Sequence, residues 1–201
     1  MKSLTDGEEM FYGCSALTTF VSDLSSLTNS RHMFYGCTSL TSFDNDLSSL
    51  TNGSGMFYNC SNLSEFTSDL ISLTDGRYMF KNCTSFITFT SNLIYPETDK
   101  SSLTDGYHMF YNCEKLETFS SDLSSLTDGR YMFYDCSNLK TFEMSLKNLD
   151  QGAQMFRNCS KLTKFNSDLS SLTNGQYMFY SCTSLTTFVS NFGDSTRADG
   201  T

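Results

Sequence analysis

Eight cysteines, two histidines and a recurring acidic position are the side chains of this sequence with the means to do chemistry. The chemistries on offer are disulfide or zinc-thiolate bonding, acid–base catalysis, and calcium binding. The cysteines are Cys14, Cys37, Cys60, Cys83, Cys113, Cys136, Cys159 and Cys182, at intervals of 23 residues except for 30 between Cys83 and Cys113. No C-x-x-C pair occurs, and one thiol per 23 residues makes a row, whereas zinc needs a tetrahedral cluster. Thiols in such a row point in parallel, which opposes the dihedral of a disulfide, so they read as buried free thiols acting as small core residues. His32 and His108 share one place in the repeat but stand three repeats apart, roughly 15 Å or more if strands stack at their usual spacing, too far for a shared metal or an acid–base pair. No G-x-S-x-G, P-loop or H-E-x-x-H frames any Ser, Asp or His. The acidic position holds Asp23, Asp46, Asp69, Asn92, Asp122, Ser145, Asp168 and Asn191. Asn and Ser at three of these places turn the reading from a metal ladder to oxygens that cap a local turn. The expectation is a protein with no metal, no cofactor and no catalytic residues.

The elements that position these residues follow from the repeat itself. The frame MFYGC stands at Met10–Cys14 and again at Met33–Cys37, and returns as MFYNC, MFKNC, MFYNC, MFYDC, MFRNC and MFYSC. In the first unit the apolar places are Met10, Phe11, Cys14, Leu17, Phe20, Leu24 and Leu27. Seven such side chains cannot offset the entropy of ordering 23 residues, so a single unit is not expected to fold alone. Stacked units share a core and join by backbone ladders. Spacings of three and four from Met10 to Leu17 predict one helical turn, and LTTFVS at Leu17–Ser22 predicts a strand. A second extended piece is expected at Leu24–Thr28. The coil then turns at Asp6-Gly7 and its counterparts, where glycine in most units suggests a backbone angle other residues reach only at a cost. The predicted architecture is a β-dominated α/β solenoid of about eight 23-residue coils over residues 1–192, forming a right-handed superhelix. A seven-residue insertion falls at Ile94–Lys100, and residues 193–201 read as a flexible tail.

Two columns after the turn vary from unit to unit, and they are the candidate binding surface. They hold three of the five arginines and both histidines: Arg31 and His32, Arg77 and Tyr78, Tyr107 and His108, Arg130 and Tyr131, with Tyr177 near the end. Tyr and Arg dominate binding interfaces because they present large area with few rotamers and polar ends. A neighbouring column of Tyr12, Tyr35, Tyr58, Lys81, Tyr111, Tyr134, Arg157 and Tyr180 could instead stack on itself as cover for the core. The insertion is a second place for recognition, with Ile94 and Tyr95 as its anchors.

Composition narrows the partner. A net charge of −9 and pI near 4.5 disfavour nucleic acid and anionic membranes, whose phosphates repel an acidic surface. No run approaches the ~18 apolar residues of a membrane span, and MKSLTDGEEM lacks the basic-then-apolar order of a signal peptide. Neither end shows a polar capping motif, so strand edges and core residues such as Leu4 and Phe188 invite end-to-end self-association.

The pattern C-x-x-L-x-x-F, two further Leu, a Gly turn and M-F-x-x-C resembles the BspA-like surface proteins with treponemal-type leucine-rich repeats. The resemblance covers essentially residues 1–192. It implies a leucine-rich-repeat-like solenoid and a non-enzymatic adhesin or recognition scaffold for a protein or glycan ligand, extracellular or at the cell surface. Similar arrays in phage appendages imply an alternative, a structural part of a virion joined through its solenoid ends.

Overall fold

The computed structural model describes residues 3–95 and 100–193. It is a leucine-rich-repeat-type solenoid dominated by extended and turn backbone. Its strands are only two or three residues long. They are β1 (Ser42–Phe43), β2 (Glu65–Phe66), β3 (Thr88–Phe89), β4 (Ile94–Tyr95), β5 (Lys100–Ser101), β6 (Thr118–Phe119), β7 (Thr141–Phe142), β8 (Lys164–Asn166) and β9 (Thr187–Val189). The repeat strands pair in parallel with equivalent residues opposite one another, Phe43 on Phe66, Phe89 on Phe119, and Phe142 on Phe165 on Phe188. A second line of parallel bridges runs through Asp6, Asn29, Asn52, Asp75, Asp105, Asp128, Gln151 and Asn174.

The predicted helical turn is absent: among the described residues there is no helix. Met10–Leu17 is a succession of tight turns, in which the amides of Met10, Tyr12, Cys14 and Leu17 each donate to the carbonyl three residues earlier. The alternate amides, of Gly7, Glu9, Phe11 and Gly13, leave the coil and donate to Asn29, Arg31, Met33 and Tyr35 of the next one. The pattern recurs from coil to coil at 2.7–3.2 Å. This alternation requires a left-handed residue at two places per coil. Glu9 (φ 55°), His32 (53°), Gly55 (62°), Tyr78 (58°), His108 (57°), Tyr131 (59°), Gln154 (58°) and Tyr177 (55°) hold one place; Gly13 (72°), Gly36 (71°), Asn59 (62°) and their successors hold the other. A left-handed residue cannot continue a right-handed helix, which is why helical spacing here does not make a helix.

Three further expectations are corrected. Leu24–Thr28 is not extended: the Leu27 amide donates to Leu24, closing a turn, and the pairing residue is the next one, Asn29. Glycine at Gly7, Gly53, Gly76, Gly106 and Gly129 does not serve a positive φ. A Cβ there would lie 2.8–3.1 Å from the sulfur of the methionine in the next coil, so the glycine makes room for close stacking. The expected turn is also displaced, since the residue before each glycine pairs across coils and its side chain caps the turn just after it. Asp6, Asn29, Asn52, Asp75, Asp105, Asp128 and Asn174 each accept the amide two residues on through Oδ1.

The core is built of columns. Phe11, Phe34, Phe57, Phe80, Phe110, Phe133, Phe156 and Phe179 stack at 5.2–5.6 Å with rings within 9° of parallel. A second phenylalanine column, through Phe43, Phe89 and Phe142, packs edge-to-face into the first, as Phe43 does on Phe57 at 4.8 Å and 69°. Such pairs add about 0.5–1.5 kcal/mol beyond their buried area. The insertion leaves this core undisturbed because it is pinched off as an antiparallel pair, Ile94 with Ser101 and Tyr95 with Lys100. The bridge from Asp75 to Asp105 therefore keeps its geometry across 30 residues. Residues 96–99 and the side chains of residues 95–100, Tyr95 included, lie outside the described residues, as does the tail after Gly193.

The two kinds of glycine are separable by mutation. Gly106→Ala drives a Cβ to 3.0 Å from Met132 Sδ and 3.1 Å from Leu126 Cδ1, and is expected to lower stability by about 1–3 kcal/mol in urea titration. Gly36→Asn meets nothing nearer than 3.8 Å and takes a residue that its successors already use in the left-handed region, so its urea midpoint should stay close to wild type.

Candidate functional site

The cysteine column is buried as expected from Cys37 to Cys159, whereas Cys14 is exposed and Cys182 half-buried, each lying in a terminal coil. All eight thiols are free. They are more than apolar filler: each Sγ–H from Cys37 to Cys182 donates to the carbonyl of the phenylalanine in the preceding coil, as Cys60 does to Phe34 and Cys136 to Phe110 at 3.1 and 3.2 Å. Burial pushes the Cys37 and Cys182 thiols up to about 11 and lifts those between them well above the ordinary range. A thiol that cannot ionise is neither nucleophile nor metal ligand. The acidic column caps turns as its oxygen chemistry suggests. Asp23, Asp46, Asn92, Asp122, Asp168 and Asn191 each accept the amide two residues on, while Asp69 accepts the Asn92 amide of the next coil.

The tyrosine column stacks on itself. Tyr12 lies on Tyr35 at 4.5 Å, Tyr35 on Tyr58 at 4.8 Å, and Tyr111 on Tyr134 at 4.7 Å. Where a cation interrupts it, the cation sits between rings: Lys81 Nζ is 5.4 Å from Tyr58 and 4.5 Å from Tyr111, and Arg157 lies over Tyr134 and Tyr180. Burial holds the Lys81 ammonium below its usual pKa. Beside the column, Asn82 donates to Asn59 at 2.7 Å and Asn112 to Asn82 at 3.2 Å, a ladder along the second left-handed place. The Gly/Asn/Asp/Ser alternation inside MFYGC, MFYNC, MFYDC and MFYSC is the signal in the sequence for that place.

Six of the eleven candidate residues come together. Tyr78, His108 and Tyr131 stack along the first left-handed column, at 5.2 Å and 4.6 Å between ring centroids. Tyr107 packs edge-on against Tyr78 and lies under the Arg130 guanidinium at 5.1 Å. Arg77 grips Asp75 through Nε and Nη2, at 2.9 and 2.6 Å, and reaches Asp105 at 3.5 Å; Arg130 grips Asp128 in the same way. These guanidiniums are nearly half exposed, pinned at one edge and open at the other. Burial and the nearby Lys81 and Arg130 lower His108 to about 4, and its Nδ1 has no partner among the described residues. The remaining candidates lie elsewhere. Arg31 pairs with Glu8 near the first coil, and the His32 ring covers the space over Gly55, 2.2 Å from where a Cβ would stand. Tyr177 is exposed on the last coil and Ile94 is half-buried in the hairpin. Among the described residues no group of His, Cys, Asp and Glu could hold a metal, and no helix is long and apolar enough to cross a membrane.

A surface not singled out from sequence lies beside the strands, where ion pairs link adjacent coils, Glu117 with Lys140 and Glu143 with Lys164. Its residues flank the strands that carry the buried Phe119, Phe142 and Phe165, and only Lys164 falls within one, so no alternation marks them in the sequence.

The sequence pattern of the BspA type leucine rich repeat region, in six copies, matches residues 5–100 and 90–195. No curated protein matches the chain significantly. Among solved structures, similar folds include internalin C2 of Listeria monocytogenes (15% identity, 92% of this chain and 74% of that one, TM-score 0.46). A leucine-rich repeat protein of Bacteroides ovatus is similar at 18% identity over 94% of this chain and 64% of that one, TM-score 0.36, so this chain spans less than two thirds of its length. A leucine rich cell surface protein of Faecalibacterium prausnitzii is similar at 17% identity over 96% and 78%, TM-score 0.26.

Both the thiol column and the buried histidine can be tested in solution. In native protein a disulfide reagent should label Cys14 fast, because it is exposed, Cys182 slowly, and the remaining six only on unfolding; fast release of several thiols would contradict the buried column. His108 is held neutral in the fold down to about pH 4, whereas in the unfolded chain it takes a proton near 6.5. Its contribution is therefore whole above pH 6.5 and lost as pH falls from 6.5 to 4. His108→Tyr, the residue type of its column neighbours, should flatten the urea midpoint over that window relative to wild type.

Proposed function

The chain belongs to the BspA type leucine-rich repeat family, and on that premise we propose that it is a non-enzymatic recognition scaffold for a protein or glycan partner, acting outside the cell or at its surface. The observation that carries this reading is the cluster of Arg77, Tyr78, Tyr107, His108, Arg130 and Tyr131. Its residues occupy the variable columns of an otherwise repetitive molecule, and two of them, Tyr78 and Tyr131, hold left-handed backbone that their residue type does not favour. The Asp75 and Asp128 carboxylates pre-orient both guanidiniums, so little rotamer entropy remains to be lost on binding. Half-exposed guanidiniums, that of Arg130 over the Tyr107 ring, suit a partner that offers carboxylates or hydroxyls together with flat apolar area. Arg31, His32, Tyr177 and the Ile94–Tyr95 hairpin are secondary contacts for a partner that spans several coils.

The test is to profile the purified chain on protein and glycan arrays and to repeat it with Arg77, Tyr78, Arg130 and Tyr131 all changed to alanine. Because the core columns do not include these residues, circular dichroism should be unchanged while binding falls at least ~100-fold, the loss expected when two or more interface anchors are removed. Undiminished binding by a folded variant would dismiss this surface.

A further inference from the structure

The chain departs from its own repeat in two segments that the fold brings to one groove. Seven residues beginning at Ile94 are inserted after Leu93 in the fourth coil, and Glu143-Met144-Ser145 in the sixth stands where the fifth and seventh coils read Ser-Ser-Asp and Asn-Ser-Asp. Between these segments a groove of about 450 Å³ crosses the fifth coil, lined by Asn92 and Ile94 on one side, Ser120 and Asp122 along it, and Glu143 and Met144 on the other. Sites for small ligands span about 300–1,000 Å³. Equivalent grooves of about 430 and 370 Å³ lie beside Asp46 and Asp69 and beside Asp168 and Asn191, so the groove itself belongs to the repeat. The start of the insertion and a methionine line this one alone of the three.

Met144 is foreign to its column, which otherwise holds only Ser and Asn. Ser91 donates its hydroxyl to the Ser68 carbonyl at 2.8 Å and Ser121 donates to the Ser91 carbonyl, a relay that a thioether cannot continue. In the next coil Ser167, buried, has a hydroxyl with no partner among the described residues. A residue that breaks a hydrogen-bonded column and lines a groove marks a place where function has overridden the fold's own pattern. The oxygens around it are dispersed. Asp122 accepts the Ser124 amide and hydroxyl and the Ser101 amide, all neutral donors that leave its charge in place. Glu143 gives Oε2 to Lys164 at 2.8 Å and keeps Oε1. Neither carboxylate presents two free oxygens side by side, so the planar fork of a guanidinium is not matched, whereas an ammonium with three rotatable donors is. Ile94 and Met144 offer apolar cover for the four-carbon stem behind such an ammonium, and the unbranched methionine adapts its shape to it.

We propose that this groove is a binding site for a lysine side chain presented by a protein partner, with the stem on Ile94 and Met144 and the ammonium held by Asp122, Glu143 Oε1 and the Ser120 hydroxyl. The net charge of −9 draws a basic partner toward the molecule. The groove shares no residue with the cluster of Arg77, Tyr78, Tyr107, His108, Arg130 and Tyr131, and its preference is of the opposite sign.

The measurement is an NMR titration of the full chain with N-acetyl-lysine methylamide, following the backbone amides of residues 120–122 and 143–145. Saturable shifts with a midpoint of about 1 mM are expected, the affinity usual for a ligand of this size. The norleucine analogue, which keeps the stem and lacks the ammonium, should bind at least ~10-fold more weakly. Two variants take residues native to their columns and so keep the fold. Asp122→Asn retains the turn-capping Oδ1 that Asn92 and Asn191 use, and should weaken the lysine probe ~10-fold. Met144→Ser restores the relay, so its urea midpoint should equal or exceed that of wild type while the probe binds ~5-fold more weakly. The variant with Arg77, Tyr78, Arg130 and Tyr131 changed to alanine should bind the probe as wild type does, which keeps this site separate from the recognition cluster. No saturable shift in wild type up to about 10 mM, equal binding of the norleucine analogue, or variants at Asp122 and Met144 that bind as wild type does would each overturn the proposal. Binding that appears only in Lys100→Ala would also overturn it, assigning the groove to the chain's own lysine.

Discussion

The hydrogen bonds between successive coils are the constraint on which the rest of the molecule rests. The Gly7–Leu17 segment and its counterparts have to send alternate amides outward to the next coil and alternate amides backward into their own turns. A polypeptide of L-residues can do this only by visiting the left-handed region twice in each coil, and the chain does so from one end to the other. One of those visits falls on Gly, Asn, Asp or Ser, which tolerate it. The other falls on Gly55 in one coil and on His in two, but on Glu, Tyr and Gln in the rest, which do not favour it, so the ladder overrides local preference there. The outer columns inherit their direction from this backbone.

Fixed coil spacing then dictates what each column can be. Rings at 5.2–5.6 Å stack face to face, so phenylalanine repeats with a second phenylalanine column wedged edge-on into it. Methionine sulfur approaches the backbone of the preceding coil closely enough that glycine stands beneath it at Gly7, Gly53, Gly76, Gly106 and Gly129, and the small buried Ser30 takes the same place in the second coil. The thiol is the right size to fill its place and has a proton to give to a carbonyl one coil back, which an apolar residue of similar volume could not do. The threonines at the edge add to the ladder: Thr28, Thr51, Thr74, Thr104 and Thr127 each send a hydroxyl to the carbonyl of the corresponding residue in the coil before.

Since stability resides in these columns, the residues just outside them are released from it. Arg77, Tyr107, Arg130 and their neighbours can differ from coil to coil without touching the core, and they accumulate as a patch of rings and guanidiniums on an acidic molecule. The tyrosine column shows the limit of that freedom. It borders the same patch, yet its rings and cations satisfy one another by stacking, and their fractional exposure is what remains after that mutual cover.

The sequence by itself determined the period, the inward columns, the free thiols and the turn-capping oxygens, because each is a matter of which residue type recurs every 23 positions. It also showed which columns vary, and so where Tyr78, His108 and Tyr131 belong. Only the tertiary structure decided that Met10–Leu17 is a chain of turns with no helix, that Gly106 serves space and not φ, and that the cysteine donates a hydrogen bond. Each of these depends on what the next coil places against the residue, a carbonyl, a methionine sulfur or another ring. Spacing along one chain does not encode a partner that arrives a full coil away.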